Sequence, residues 1–317
     1  MTFTKLIIAG STGYVADHAL RAISASTRPK FDVTILTRAD SGKVPSSASG
    51  AKIVSIDYSD HNALVRAVTG ADAILSFISG PPSKVVDLLL LKAAQEAGVR
   101  RIFPSEYTLD VLHPKQVSLF TEGGDWPEDT SPVVTARKFL ALADEEGPTS
   151  FTTLVPSAFI DAWLEGDFGS FHPLNHKVTV IDSGDHYFSG CSLPFLGAAI
   201  VAVLQMDEGK TKNRRIPIAE LRMTMNQVAE AYDEVTGVTF ERLRDTSQEL
   251  IQQRNASLKA GNPFGALFVA THLGAFNGSG AGDLKDGLEF DGDGFFNVRR
   301  QTLMEIAVKA LQNVGVA

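Results

Sequence analysis

The stretch LIIAGSTGYVA, Leu6–Ala16, sits close to the start of the chain. A short apolar run leads into Gly10, Gly13 follows three residues later, and Ala16 follows three after that. This pattern predicts a buried strand, a glycine turn and then a helix. In a doubly wound sheet such a turn lies against a dinucleotide diphosphate, because glycines permit close approach and the helix N-terminus offers N–H groups. The alternative is a structural turn without a ligand, which the strand-helix-strand context disfavours.

Strands and helices alternate at short spacing through the first half of the chain. This alternation predicts an α/β fold, a Rossmann-type doubly wound parallel sheet. The predicted strands are 3–9, 31–38, 52–56, 72–78, 101–103 and 151–155, and the predicted helices between them are 14–26, 60–70, 85–97 and 133–146.

The second half of the chain is less regular. Its predicted strands are 178–181 and 215–218, and its predicted helices are 194–205, 225–235, 247–259 and 301–312, with 239–298 otherwise irregular. We expect an NADP-binding Rossmann domain over 1–155 and a smaller substrate lobe over 156–317. Segments near 178–218 are expected to return to the Rossmann domain.

Composition excludes several classes of protein. The 317 residues carry a net charge of −8 with no cluster of Lys and Arg, which argues against binding nucleic acid or an anionic membrane. No apolar run is long enough to span a bilayer. The single Cys191 cannot form an internal disulfide, and Pro173 separates His172 from His176, so no metal site is predicted. We expect a cytoplasmic protein with a small-molecule substrate; its oligomeric state, monomer or homodimer, stays open.

The end of the second strand bears on the choice of cofactor. Arg38 ends that strand and Lys43 follows in the loop, and both suit the 2′-phosphate of NADP(H). Asp40 leaves an alternative, since a carboxylate there either pairs with Arg38 or serves a ribose. The other predicted cofactor-binding residues are Gly10, Ser11, Thr12, Gly13, Tyr14 and Val15 in the turn, and Asp57, Tyr58, Ser76, Phe77 and Ser79 at the ends of the third and fourth strands.

Three segments resemble one protein family. They are GSTGYVA together with Arg38, RRIFPSEY at Arg100–Tyr107, and FTTLVPSAFIDAW at Phe151–Trp163 after a helix that carries Lys138. The chain is similar here to the NmrA-like, isoflavone-reductase-like branch of the atypical short-chain dehydrogenases, relatives of phenylcoumaran benzylic ether reductase. The resemblance covers nearly the whole chain, strongly through about residue 205.

The resemblance implies an NADPH-binding lobe with a small C-terminal lobe over the nicotinamide. It also implies a catalytic lysine, Lys138, beside the nicotinamide ribose and the substrate, with Phe159 bordering the nicotinamide. A shift of one or two residues in register would put Ala136 or Arg137 at that point instead. Glu106 belongs to the Pro-Ser-Glu motif of the family, and the family's usual phenylalanine after it is replaced by a tyrosine.

The Tyr-x-x-x-Lys signature of ordinary short-chain dehydrogenases is missing, because Val134 stands four residues before Lys138. Tyr107 is therefore a second candidate for the proton donor, with a simple wall of the pocket as the alternative. The predicted substrate-binding residues are Glu106, Phe159, Trp163 and Phe168.

These features predict an NADPH-dependent reductase that transfers a hydride to a small aromatic or alkaloid-like secondary metabolite of the enone, iminium or benzylic ether type. Two alternatives stay open. One is an NADP(H)-binding redox sensor without turnover. The other is an enzyme that retains the cofactor and catalyses a non-redox acid–base rearrangement.

Overall fold

The computed structural model describes residues 3–38, 46–48, 50–80, 82–128, 131–145, 147–166, 169–290, 294, 296 and 298–317. The strands are β1 (Lys5–Ala9), β2 (Asp32–Arg38), β3 (Lys52–Ile56), β4 (Ala73–Ser76), β5 (Arg101–Phe103), β6 (Ser150–Val155), β7 (Ala158–Phe159), β8 (Phe171–His172), β9 (Lys177–Ile181), β10 (Phe188–Cys191), β11 (Arg214–Pro217), β12 (Leu221–Met223) and β13 (Glu241–Asp245). The α-helices are α1 (Tyr14–Ala25), α2 (His61–Val68), α3 (Pro82–Ala97), α4 (Pro114–Thr121), α5 (Pro132–Ala141), α6 (Ile160–Leu164), α7 (Leu193–Gln205), α8 (Glu208–Thr211), α9 (Met225–Thr236), α10 (Ser247–Lys259), α11 (Pro263–Phe276) and α12 (Leu303–Asn313). Short 3₁₀ turns lie at Ser46–Ala48, Pro173–Asn175 and Lys285–Glu289.

The centre of the fold is a seven-stranded parallel sheet in the order β11-β6-β5-β4-β1-β2-β3. β1 lies in its middle, and side chains alternate between its two faces. Leu6 and Ile8 join the core formed with α1 and α7, whereas Ile7 and Ala9 join the core formed with α2 and α3. Helices therefore cover both faces, and the predicted doubly wound α/β fold is confirmed. Burial on both faces is the reason that the strands carry continuous apolar runs.

Two elements of the second half pack on this sheet. β11 pairs in parallel with β6 at the edge, and α7 lies along α1. Gly197 permits the helix contact, because a Cβ there would lie 2.6 Å from the carbonyl oxygen of His18. β9, which falls in the same 178–218 segment, belongs to a separate sheet in the order β13-β9-β8. The division of the chain into two lobes remains a prediction.

Several elements lie where the sequence pattern predicted none, and the longer ones include α4, β13 and α11. α11, with the sequence PFGALFVATHLGAF, is apolar on almost every side, so it has no polar stripe to mark a helix. Its start is nevertheless specified locally, since Pro263 opens it and the Asn262 side chain accepts a hydrogen bond from the N–H of Gly265. β13 is charged along its length, ERLRD, because it pairs with β9 at the edge of its sheet.

A half-buried histidine, His272, lies where α11 packs on the rest of the C-terminal half. The His272 ring lies among Trp163, Phe268 and Phe276, with ring centroids 4.9–6.1 Å apart, and its Nε2 is 2.7 Å from Oγ of Ser170. Burial lowers its pKa from 6.5 to about 4. This ring is therefore neutral in the folded chain at physiological pH. In the described ranges, no helix combines the length and the apolar character needed to cross a membrane.

The lowered pKa of half-buried His272 predicts a loss of stability in mild acid. An unfolded histidine takes up a proton near pH 6.5, whereas folded His272 does so only near pH 4. The contribution to the free energy of unfolding is thus fully present above pH 6.5 and is lost as the pH falls toward 4, by up to about 3 kcal/mol. Urea denaturation across this range should show a shallower pH dependence in His272→Gln than in the wild type. The same change at the exposed His186 should leave the slope as it is, and equal slopes in all three proteins would contradict the assignment.

Candidate functional site

The turn after β1 is packed directly against the end of β4. Gly10 has φ +80°, a conformation that favours glycine, and a Cβ there would lie 2.6 Å from the backbone nitrogen of Ile78. The N–H of Phe77 donates to the carbonyl of Ala9 at 2.7 Å. The first glycine of the motif therefore fixes the position of the turn on the sheet.

Gly13, the second glycine of the motif, is not packed against the backbone as Gly10 is. A Cβ at Gly13 would meet nothing within 4 Å, so the space above this residue is open. Gly13 is the N-cap of α1, and no side chain caps the helix. The first turn of α1 therefore directs its N–H groups and the positive end of its dipole toward this open space. A negatively charged group fits here, and a side chain at position 13 would fill the same volume.

A groove of about 350 Å³ runs from this turn along the ends of β2 and β4. Exposed Arg38 lies on its wall beside Tyr58, whose hydroxyl donates to the carbonyl of Leu36 at 3.2 Å. The predicted cofactor residues that line this groove are Gly10, Ser11, Thr12, Gly13, Arg38, Tyr58, Phe77 and Ser79.

Two predicted cofactor residues are placed elsewhere. The Asp57 carboxylate accepts from the N–H and the hydroxyl of Ser59, at 2.8 and 2.7 Å, and is used in that turn. Ser76 is completely buried within β4 and does not line the groove. Both residues lie at the end of a strand, as predicted, but neither lines the groove. Lys43 and Asp40 lie outside the described residues.

A second cavity, of about 320 Å³, adjoins the groove, since both are lined by Gly13, Phe77 and Ser79. Most of its wall is apolar and comes from several elements. Its apolar lining includes Val15, Val111, Phe120, Pro132, Phe159 and Leu267, and its polar lining includes Tyr14, Lys84, Glu106, Tyr107 and Thr271. The cavity lies where the far end of a ligand bound along the groove would reach.

Two charged side chains of α3 lie at this cavity: Lys84 lines it, and Asp87 lies buried close to Lys84. Lys84, near the start of α3, is 8% exposed, and its Nζ donates to the Ser105 carbonyl at 3.1 Å. Asp87, one turn later, is fully buried and accepts from the N–H of Ser105 at 2.7 Å. Burial raises the Asp87 pKa to about 6 against the opposing effect of the nearby Lys84 charge.

Glu106 forms the second acidic position of this region. It is buried and pairs with Arg215 of β11, which in turn contacts Asp110 at 2.9 Å. Burial raises the Glu106 pKa, while the charges of Arg215 and Lys84 act in the opposite direction. Positive and negative groups therefore alternate from Lys84 to Asp110, and each carboxylate has a cationic neighbour.

Tyr107 contributes its ring to the cavity. The ring stacks on Phe77 with centroids 5.4 Å apart. Its hydroxyl is buried without a hydrogen-bond partner in the described part of the chain, and both burial and the charge of Asp87 raise its pKa. The tyrosine thus lines the pocket, and its role as proton donor stays a prediction.

Lys138 is not placed as the family resemblance implies. It is exposed in the last turn of α5 and does not line the cavity, and Arg137 is also exposed. The residues of α5 that face inward are Pro132, Val133, Thr135, Ala136 and Phe139, and of these Pro132 lines the cavity. This helix brings no lysine to the cavity, and the register of the catalytic lysine stays a prediction.

Of the predicted substrate-binding residues, Glu106 and Phe159 line the cavity. Trp163 instead packs in the core against Phe276, with ring centroids 5.1 Å apart. Phe168 lies outside the described residues. Thr271 and Leu267 were missed because the sequence pattern did not predict α11, and Lys84 was missed because a lysine in the first turn of a helix is ordinarily exposed.

Residues 3–121 match the model of the family described as the NmrA-like family. Over these residues the resemblance predicted from the sequence is confirmed. The chain is also 26% identical, over 285 residues, to a bifunctional pinoresinol-lariciresinol reductase of Linum usitatissimum, with 85% of each protein covered.

Two solved structures show the same fold. An isoflavone reductase superposes with a TM-score of 0.72 at 20% identity, covering 97% of this chain and 99% of the other. AtPrR2 with NADP⁺ and (+)-pinoresinol superposes with a TM-score of 0.71 at 18% identity, covering 98% and 99%. In the described part of the chain, no group of three or more His, Cys, Asp or Glu side chains is placed to hold a metal ion.

Substitution should destabilise the fold much more at Gly10 than at Gly13. Gly10→Ala forces a side chain into φ +80° and against the backbone of Ile78, and should lower the free energy of unfolding by roughly 2–5 kcal/mol. Gly13→Ala places its methyl group in open space and should cost less than about 1 kcal/mol. Guanidinium denaturation measures both. Equal losses in the two variants would refute the described packing of the turn.

Proposed function

We propose that this chain is an NADPH-dependent reductase that transfers a hydride to a small aromatic or alkaloid-like metabolite, of the enone, iminium or benzylic ether type. One observation carries the proposal. The open space at Gly13, against the N-terminus of α1, continues into a largely apolar cavity that is large enough for a flat ring system. The reductase from flax and the NADP⁺ complex of AtPrR2 support the same class of reaction.

The residues present fit NADP(H). The diphosphate would lie over Gly13 and the first turn of α1, and Ser11 and Thr12 would offer hydroxyls to it. Arg38 would hold the 2′-phosphate through a charge-assisted pair, with the adenine end beside Tyr58. When it is bound, the cofactor supplies the hydride. The chain's own residues orient the substrate and exclude water from the cavity.

The cavity favours turnover over the sensor alternative. A protein that only senses the cofactor has no use for a second pocket beyond the groove, whereas here such a pocket has apolar walls and a few polar groups at its base. Phe159 and Leu267 lie on opposite elements, β7 and α11, so a flat substrate would be held between them.

Purified protein mixed with NADPH and (+)-pinoresinol, an isoflavone or benzylideneacetone tests the proposal. A reductase consumes NADPH, followed by its absorbance, in proportion to the reduced product seen by mass spectrometry. Product without NADPH consumption would replace the proposal with the rearrangement. NADPH binding without any product from this panel would instead favour the sensor.

Arg38 should set the choice between the two nicotinamide cofactors. Arg38→Ala removes one charge-assisted contact to a phosphate and should weaken NADPH binding roughly 10- to 100-fold, with NADH binding nearly unchanged. Isothermal titration measures both affinities. Arg66→Ala, at an exposed arginine of α2 that does not line the groove, is the matched control. Unchanged selectivity in Arg38→Ala would remove this residue from the cofactor site.

A further inference from the structure

We propose that Lys84 of α3 is the residue that stabilises and protonates the substrate oxygen in this chain, in place of a lysine on α5. The inference rests on the proposed function. It assigns to the cavity a cationic donor and therefore a class of substrate: an apolar ring system with a carbonyl, phenol or ether oxygen at its reactive end.

The surroundings of Lys84 carry the inference. A lysine that is 8% exposed is rare unless its charge is used, because burying an ammonium costs free energy. Here the side chain lines the cavity and is the one lysine among the described residues that do so. The Asp87 and Glu106 carboxylates balance the positive charge of Lys84, since that charge acts to lower the pKa of both groups.

The Lys84 ammonium has N–H groups that can still donate to a ligand. Its three N–H groups have one recorded acceptor among the described residues, the Ser105 carbonyl at 3.1 Å. Because that carbonyl holds the side chain at the base of the cavity, an oxygen of a bound molecule can accept from a remaining N–H. A satisfied structural lysine would instead be surrounded by protein acceptors.

The other candidates are placed less well. α5 presents Ala136 toward the interior, and Lys138 is exposed. Burial and the charge of Asp87 raise the pKa of the Tyr107 hydroxyl, which makes it a weaker proton donor. Glu106 is engaged by Arg215. Lys84 is the cavity residue that combines a positive charge with unused donors.

In the proposed reaction, Lys84 delivers a proton to the substrate oxygen. When the substrate takes up a hydride from the reduced nicotinamide, the electron pair of its double bond or breaking C–O bond moves onto oxygen. That oxygen accepts a proton from Nζ of Lys84, so an O–H bond forms and an N–H bond breaks. Lys84 is left as a neutral amine, which regains a proton from water.

A direct test measures binding of an oxyanion, independently of turnover. para-Nitrophenol, whose coloured phenolate resembles the developing oxyanion, is titrated with pH in the presence of protein and NADP⁺. In the wild type its bound pKa should fall below the value in free solution, because a nearby ammonium favours the anion. Lys84→Met should abolish most of that shift and Lys84→Arg should retain it. Lys92→Met, at an exposed lysine of the same helix, is the matched control and should behave as the wild type.

The second measurement is steady-state turnover. It uses the compound from the substrate panel above that the wild type reduces. Lys84→Met should lower kcat by about 10²- to 10⁴-fold with a KM change below tenfold, and added ethylamine should partly rescue Lys84→Ala. NADPH affinity and circular dichroism should match the wild type, which separates this effect from misfolding.

Several outcomes would overturn the role of Lys84 alone. They are failure of the wild type to bind para-nitrophenol, an unshifted phenol pKa in the wild type, or a loss of activity in Lys138→Met with normal activity in Lys84→Met. A wild type that shifts the phenol pKa through Lys84 but oxidises no NADPH would leave this oxyanion site standing and overturn the proposed reductase.

Discussion

The backbone contact between the turn at Gly10 and the end of β4 positions the whole site. A residue with any side chain at Gly10 would collide with Ile78, so the chain turns there tightly enough to bring the start of α1 over the carboxyl edge of the sheet. The groove along β2 and the cavity beside β5 both open at that edge. Ligands of doubly wound sheets bind at this place, because the connections on either side of the central strand leave in opposite directions.

Several charged side chains lie close together at this carboxyl edge of the sheet. α3 begins immediately after β4, and its first turns carry Lys84 and Asp87 into the interior. Glu106 follows β5, and Arg215 comes from β11, a strand supplied by the second half of the chain. A buried group of this kind persists only if opposite charges lie next to each other, and each carboxylate here has a cationic neighbour. The return of β11 to the sheet edge thus completes the electrostatics of the cavity as well as the fold.

Local patterns were sufficient to predict the central sheet and the turn. Strands buried on both faces have continuous apolar runs, and a glycine turn before a helix is visible at fixed spacing, so β1 to β6 and the position of the turn at Gly10 and Gly13 followed from the sequence. α11 did not, because a helix that is apolar on nearly every side loses its amphipathic period. The position of the cavity lysine also depended on tertiary structure. Lys84 and Lys138 both lie on helices, and nothing in the local sequence shows that the first points inward and the second outward.

A crystal structure of the protein with NADP⁺ tests the central claim most directly. We expect the diphosphate against residues 10–13 at the N-terminus of α1, the 2′-phosphate beside Arg38, and the nicotinamide in the cavity with its ring edge toward Lys84. A dinucleotide found away from that turn, or one bound with its nicotinamide outside the cavity, would contradict the account.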